Sequence, residues 1–148
     1  MQAKDLTAAM PRRWTEQVDG IYWLGRLIDK ANAAAHGTLG DYLYGQSPMD
    51  DWLLRALNID YPTFTSIVAQ AADDAAVLAA LAARSPNALE RARAWSATLP
   101  RRQAFYLWFI DIDEGYLGEA WRPVKTLFNA LSGPLSRTIK RVAPSRTS

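Results

Sequence analysis

The polar residues with the most chemical potential lie together on one predicted helix near the start of the chain. Between Gln17 and His36, apolar residues recur at the three and four residue spacing of an amphipathic helix. The face opposite the apolar stripe gathers groups of both charge signs around one glycine: Tyr22, Gly25, Arg26, Asp29, Lys30, Asn32 and His36. This face is the candidate ligand-binding site.

Gly25 is the unusual member of this set, because a glycine inside a helix costs about 0.5–1 kcal/mol relative to alanine. A close approach to the helix backbone would compensate for that cost. Either another helix or the loop that begins at Gly37 packs there, or a ligand lies there in a groove. The sequence leaves both interpretations open.

A loop rich in glycine and tyrosine follows this helix. Residues 37–48 contain three glycines and a proline, a composition typical of a structured loop. We expect a short extended piece at Tyr42 to Tyr44, with the tyrosines pinning the loop to the core. Tyr42 and Tyr44 therefore join the candidate ligand-binding residues.

Acid and base chemistry is an alternative use of the same residues. Asp29, His36 and Tyr42 or Tyr44 are of types that transfer protons. Asp29 and His36 are two helical turns apart, however, so a bridging group would be needed for both to act on one ligand. His36 also suits the carbonyl end of the helix dipole, and the charged residues around Asp29 suit surface ion pairs or a buried pair tying the helix to the loop. No residue is assigned a catalytic role.

Motifs for metals and cofactors are missing from the sequence. The stretch Asp111-Ile-Asp-Glu-Gly115 resembles the start of a calcium loop, but Gly115, Tyr116 and Arg122 stand where an EF-hand needs an oxygen ligand, a glycine and a glutamate. We interpret it as a helix terminus with clustered acids. The chain has no cysteine and no Walker A, HExxH or GxSxG motif. We therefore predict no metal and no cofactor.

The end of the chain is basic. Residues 1–99 carry nine basic and eleven acidic side chains, a net charge of −2, whereas residues 100–148 carry eight and four, a net charge of +4. Arg137, Lys140 and Arg141 share one face of a short amphipathic segment. This segment could pack back on the domain, pair with a second subunit or another protein, or contact an anionic membrane or nucleic acid.

The elements that must position these residues are helices. The chain has 148 residues, 49% of them hydrophobic, which suits a single domain with one core. The pattern predicts an all-α fold, a single compact bundle of six to eight helices. We expect an extended arm over residues 1–15, a helical domain over 16–133 and a basic amphipathic tail over 134–148.

Further helix signals follow at short intervals. A short helix from Pro48 to Asn58 has an apolar face made of Trp52, Leu53, Ala56 and Leu57. Other helices are expected after Asp60, over Ala75–Ala83 behind Asp73 and Asp74, from a Ser85-Pro86 cap to about Ala97 with a break at Leu99-Pro100, and over Arg122–Leu131. Ala104–Ile112 is apolar almost all round, which fits a buried helix or a buried strand; we favour the helix.

The sequence indicates a cytoplasmic protein. The first fifteen residues lack the apolar segment of a secretory signal. The longest strongly apolar stretch, Ala104–Ile110, is far shorter than the roughly 20 residues needed to cross a bilayer.

A series of short motifs resembles a known bacterial family. The most specific are Leu24-Gly-Arg-Leu-Ile-Asp-Lys30 and Gly37-Thr-Leu-Gly-Asp-Tyr-Leu-Tyr44; the others are Asp5-Leu-Thr7, Pro11-Arg12, Gly20, Asp50, Leu57-Asn-Ile-Asp60, Phe64 and Val68. In this order they resemble the small DUF5069 proteins, over roughly residues 5–95. The resemblance implies a self-contained bacterial domain and supplies no activity, cofactor or catalytic residue.

Three functions remain open at this point. The leading hypothesis is a noncatalytic small-ligand-sensing or protein-interaction module that uses the polar face around Gly25. The alternative is a small enzyme in which Asp29, His36 and Tyr42 act as acid and base. A weaker alternative is nucleic-acid or membrane association through Arg137, Lys140 and Arg141.

Overall fold

From Leu24 onwards the described part of the chain folds mainly into consecutive α-helices. The structure is a computed structural model and describes residues 2–121, 123, 124, 126, 127 and 130. The helices in this part are α1 (Leu24–Ala35), α2 (Pro48–Leu57), α3 (Tyr61–Gln70), α4 (Asp74–Arg84), α5 (Ala88–Arg102) and α6 (Ala104–Asp113), followed by a 3-10 helix at Glu119–Trp121. The described residues form no β-strand, and the all-α prediction is confirmed.

Contacts divide the chain into two compact units. The first, Met1–Ala104, contains the N-terminal arm and α1 to α5, and the second begins at Phe105. In the first unit α1 packs against α3, α2 against α5, and α4 against both α3 and α5. The largest fully buried side chains of this unit include Trp23, Phe64 and Leu27.

α1 lies in the core of the first unit. Ten of its twelve residues, Leu24 through Ala33, are buried. Its polar residues share this burial, since Arg26, Asp29, Lys30 and Asn32 are, as whole residues, each at most 7% exposed. The polar face that the helical spacing predicts is therefore covered by other parts of the chain rather than open to solvent.

α1 begins at Leu24, later than the apolar spacing predicts. Asp19 and Gly20 have φ angles of 53° and 73° and form a turn that pairs Val18 with Ile21 in an isolated bridge. Left-handed residues of this kind do not continue a right-handed helix. The prediction of a helix start at residue 17 was wrong. Val18 and Ile21 are buried in the same core as α1, so the apolar pattern of the helix continues into the turn although the turn is not helical.

The predicted starts of α3 and α4 are confirmed by side-chain caps, and α2 begins at the predicted Pro48 without a side-chain cap. Asp60 accepts a hydrogen bond from the Thr63 amide at 2.8 Å, and Asp73 accepts one from the Ala76 amide at 2.8 Å. α2 ends at Leu57 and is followed by Asn58, which takes up the left-handed conformation with φ of 56°. Short polar side chains at helix ends thus set the register of these helices, as expected.

Three predictions for α2 and α5 were wrong. α5 begins after Asn87 rather than at the Ser85-Pro86 pair, and it runs through Pro100 to Arg102. A proline removes one helical hydrogen bond and disfavours helix at the preceding residue; here Leu99 is buried in the core, and this packing holds the helix together. On α2, Trp52 is 40% exposed instead of facing the core.

The segment Ala104–Ile112 forms a helix and not a strand, as we favoured, because it lies within α6. Gly115 follows the helix with φ of 78°, so the acids before it lie at a helix terminus, as predicted. The helix is not buried all round, because Phe105 is 73% exposed while Leu107 is buried. The predicted helix over residues 122–131 lies partly outside the described residues, and Arg137, Lys140 and Arg141 lie wholly outside them.

No helix in the described ranges is both long enough and apolar enough to cross a membrane.

Candidate functional site

Asp29 is the centre of a set of ionic contacts between α1 and the N-terminal arm. Its carboxylate accepts hydrogen bonds from the Arg12 main-chain amide at 2.7 Å and from Arg12 Nε at 3.0 Å. Lys4 Nζ lies 3.7 Å from Asp29 Oδ2. The arm therefore passes over the polar face of α1 and supplies the cations that balance this buried carboxylate.

Arg12 also joins the arm to the start of α4. Its Nη1 lies 2.5 Å from Asp74 Oδ2 and its Nη2 lies 3.1 Å from Asp74 Oδ1, the two-bond geometry that guanidinium and carboxylate groups favour. Burial alone would lower the pKa of Arg12, but the hydrogen bonds with Asp74 and the charge of Asp29 outweigh it and raise the pKa. Arg12 is thus a permanent cation that binds the carboxylates of both Asp29 and Asp74.

The close approach that Gly25 predicts is made by the arm. A Cβ added to Gly25 would lie 3.1 Å from Arg12 Nε and 3.2 Å from the Glu16 carbonyl oxygen. The neighbour is therefore neither another helix nor the loop after α1. The missing side chain leaves room for the guanidinium that binds Asp29 one turn further along; ligand binding at Gly25 itself stays a prediction.

A cleft of about 390 Å³ opens beside these ion pairs. We call it the arm cleft; it is lined by Gln2, Lys4, Arg12, Asp29, Ala72, Asp73 and Asp74. Two cations and three carboxylates therefore share one surface. The side chain of Lys4 is 41% exposed and that of Asp74 is 34% exposed, whereas that of Asp29 is 9% exposed. Asp73 is exposed as well, so Lys4, Asp73 and Asp74 are the charges that a ligand can reach.

A second ion pair lies deeper, on another side of α1. Lys30 Nζ is 2.7 Å and 2.5 Å from the two carboxylate oxygens of Asp50, and the two side chains are 4% and 0% exposed. The Trp23 indole N–H donates to Asp50 Oδ1 at 2.8 Å, and Lys30 also donates to the Leu43 carbonyl at 3.1 Å. This pair ties α1 to α2 and to the loop, which is the buried alternative predicted for these charged residues.

Comparison with protein families identifies the family of the chain. The family model described as a domain of unknown function, DUF5069, matches residues 8–108, more than half of the chain. The chain belongs to the DUF5069 family. The match confirms the resemblance and carries it beyond Trp95. No curated protein matches the sequence.

Most of the ion-paired residues lie within the range that the family model matches. In the DUF5069 chain Arg12, Asp29 and Asp74 all lie inside the matched residues, as do Lys30 and Asp50. Lys4, the most exposed cation of the arm cleft, precedes them. The family description names no activity, so the chemistry of the cleft has to be argued from its geometry.

The loop tyrosines contact the core, as predicted. The Tyr44 hydroxyl lies 2.7 Å from Thr65 Oγ1 on α3. The guanidinium carbon of Arg26 lies 5.5 Å from the centre of the Tyr42 ring and 5.3 Å from that of the Trp23 ring. The expected extended piece at residues 42–44 does not form a strand. These residues hold the loop against α1 and α3 and do not line the arm cleft.

Tyr22 and Asn32 lie outside the arm cleft as well. Tyr22 packs against Trp14 with ring centroids 5.9 Å apart, in the turn before α1. Asn32 is 2% exposed and places its amide nitrogen 3.5 Å from the Gln2 carbonyl. Its Oδ1 has no hydrogen-bond partner among the described residues. Both side chains thus contact segments of the chain that precede α1.

His36 is exposed at the C-terminal end of α1. It caps the helix, and its Nδ1 lies 2.8 Å from the Asn32 carbonyl oxygen, as the helix-end interpretation predicts. Seven helical steps of about 1.5 Å separate it from Asp29 by roughly 10 Å along the axis. The structure therefore does not bring Asp29 and His36 together.

Four residues of these sites could not be recognised from spacing along the chain. Asp50 and Asp74 lie in the first turns of helices, where the dipole already explains an acidic residue. Lys4 and Arg12 lie in an arm without periodicity. The usable signals were the Pro11-Arg12 pair and Asp50, which belong to the family motifs. In the residues that the structure describes, no group of three or more histidine or acidic side chains is arranged to hold a metal ion.

Proposed function

We propose that this DUF5069 chain is a noncatalytic module that binds a small zwitterionic ligand in the arm cleft. The observation that carries the proposal is the presence of accessible charges of both signs in one cleft. Lys4 offers an ammonium group on the arm, and Asp74 offers a carboxylate at the start of α4. A molecule with a carboxylate and an ammonium group could satisfy both.

The size of the cleft suits such a ligand. About 390 Å³ lies within the range of roughly 300–1,000 Å³ typical of small-molecule sites. Arg12 and Asp29 are already saturated by each other and by Asp74, so they form a fixed floor. A ligand that contacts both Lys4 and Asp74 would hold the arm against α4. Ligand binding would then change the position of the arm, and such a change is what a sensing module needs.

The contacts of Asp29 favour binding over catalysis. A general base must lie within hydrogen-bond reach of a substrate proton, whereas the Asp29 side chain is 9% exposed, accepts two hydrogen bonds from Arg12 and faces Lys4. The residues that line the arm cleft include neither histidine nor tyrosine. We further propose the bacterial cytoplasm as the location, which the family resemblance supports and which cell fractionation would test.

Titration of the full chain with free amino acids, followed by calorimetry and by amide NMR, tests the proposal. Analogues that lack one charge, N-acetyl amino acids and amino-acid amides, serve as ligand controls. We expect at least one zwitterion to bind and Lys4→Ala to weaken it about tenfold, because a hydrogen bond to a charged group contributes about 1.5–3 kcal/mol.

Arg84→Ala is the matched control, since Arg84 is exposed on α4 and does not line the cleft. Its affinity should equal that of the unaltered chain. The proposal fails if no zwitterion binds, if the single-charge analogues bind equally well, or if Lys4→Ala and Arg84→Ala behave alike.

A further inference from the structure

A second concave surface lies in the first unit, between α2 and α5. It is a groove of about 240 Å³ lined by Trp52, Trp95, Thr98, Leu99, Arg102 and Gln103. We call it the α2/α5 groove. Trp52 is 40% exposed and Leu99, which is buried, forms part of its base. None of these residues lines the arm cleft.

The composition of the groove is that of a protein-binding hot spot. Tryptophan and arginine are the residue types most enriched where one protein inserts a side chain into another. A volume of about 240 Å³ is below the roughly 300 Å³ at which small-molecule sites begin. The groove is therefore suited to a single large side chain rather than to a whole metabolite.

The charges around the groove are positive. Arg102 lines it, and the neighbouring Arg101 is exposed in the same last turn of α5. Glu90, the acidic residue of α5, lies in its first turn, about 18 Å away along the helix at 1.5 Å per residue. The dipole at the C-terminal end of α5 accounts for the presence of the two arginines. It does not account for the two indole rings that line the groove together with Arg102.

The acidic residues of α2 do not neutralise this rim. Asp50 is fully buried against Lys30, and Asp51, which hydrogen bonds with the Tyr61 hydroxyl, does not line the groove. A complementary partner must therefore bring its own negative charge. The chain's own segment with Arg137, Lys140 and Arg141 would bring like charge, so charge complementarity argues against it as the occupant.

We propose that the α2/α5 groove docks a segment of another protein that presents an aromatic or large aliphatic side chain beside Asp or Glu. The apolar side chain enters between Trp52 and Trp95 above Leu99. The partner's carboxylate binds Arg102 at the rim. A single-stranded nucleic acid fits less well, because bases stack on open aromatic faces along a basic track, whereas this groove is short and lies between two helices.

The test uses the full, ¹⁵N-labelled chain and three short synthetic peptides. One has phenylalanine between Asp and Glu residues, the second has phenylalanine between lysines, and the third has alanine between Asp and Glu residues. We expect only the first to shift the indole N–H signals of Trp52 and Trp95, which Trp52→Phe and Trp95→Phe variants assign. Arg102→Glu should weaken binding at least tenfold, and Arg84→Glu should leave it unchanged.

Several outcomes would overturn the proposal. These are no shift with any peptide, equal shifts with the lysine or alanine peptides, and equal loss in the Arg102→Glu and Arg84→Glu variants. Binding of oligothymidylate instead of the acidic peptide would assign the groove to nucleic acid. Self-association that Arg102→Glu abolishes, seen by sedimentation without peptide, would assign it to a second copy of the chain.

Discussion

At the scale of single residues, the pair of Lys30 and Asp50 shows how a buried charge is accommodated. Removing each ion from water costs several kcal/mol, and a good set of partners must offset that cost. Asp50 receives Lys30 at both oxygens and the Trp23 indole at one, and Lys30 also reaches the Leu43 carbonyl. The pair therefore fixes how α1, α2 and the loop fit together more than it adds net stability.

This account predicts a non-additive pair of substitutions. Lys30→Met should lower the free energy of unfolding by about 3–5 kcal/mol, because it leaves the Asp50 carboxylate buried and uncompensated. Adding Asp50→Asn should restore part of that loss, since a neutral amide can still accept the Trp23 indole N–H. Urea unfolding followed by circular dichroism measures both values. A double variant less stable than Lys30→Met would contradict the interpretation.

The limits of sequence reasoning are clear at this scale. An acidic residue in the first turn of a helix is explained by the helix dipole, and Asp50 and Asp74 satisfy that rule. Their cations lie 20 and 62 residues away, and only the packing of the chain brings them close. Helical spacing thus found Asp29 and Lys30 but could not find their partners.

At the scale of elements, the loop after α1 is held by tyrosines that must stay neutral. The rings of Tyr44 and Tyr61 meet edge to face at 5.0 Å, and the Tyr44 hydroxyl contacts Thr65. Burial raises the pKa of Tyr44 to about 12; the hydrogen bond with Thr65 acts against this and the charge of Asp50 adds to it. Burial likewise raises the pKa of Tyr61, helped by Asp51 and Asp50.

Stability should therefore fall at alkaline pH. Because the folded pKa of Tyr44 lies above the unfolded value of 10.0, its contribution is complete below about pH 10 and is lost as the pH rises towards about 12. A shift of this size corresponds to a loss on the order of 2 kcal/mol. Urea unfolding at about pH 9 and pH 11.5 should show a smaller decrease for Tyr44→Phe than for the unaltered chain. Equal decreases would contradict the role of Tyr44.

Some helix ends are determined by residues within the adjacent turn, and others are determined by packing against distant parts of the chain. The caps at Asp60 and Asp73 and the left-handed Gly37 after α1 could be predicted, because each satisfies its helix within a few residues. The start of α1 and the passage of α5 through Pro100 could not. Both depend on apolar residues, such as Ile21 and Leu99, that are buried by distant parts of the chain.

At the scale of the whole molecule, the family match and the first unit have nearly the same limit. The match ends at residue 108 and the unit at Ala104. The buried ion pairs, the arm cleft and the α2/α5 groove all lie before that limit. The first unit therefore contains its own core and both proposed binding surfaces, and of these only Gln2 and Lys4 of the arm cleft precede the family match.

A fragment of residues 1–104 should consequently fold without the rest of the chain. We expect helical circular dichroism and one cooperative urea transition, with a slope of about 1–3 kcal/mol per molar. A fragment of residues 14–104, which lacks Lys4 and Arg12, should be less stable by about 3 kcal/mol or more, because Asp29 would lose the cations that balance it in the core. Gradual unfolding of the longer fragment would contradict a self-contained core. Equal stability of the two fragments would show that the arm contributes nothing to holding α1 in place.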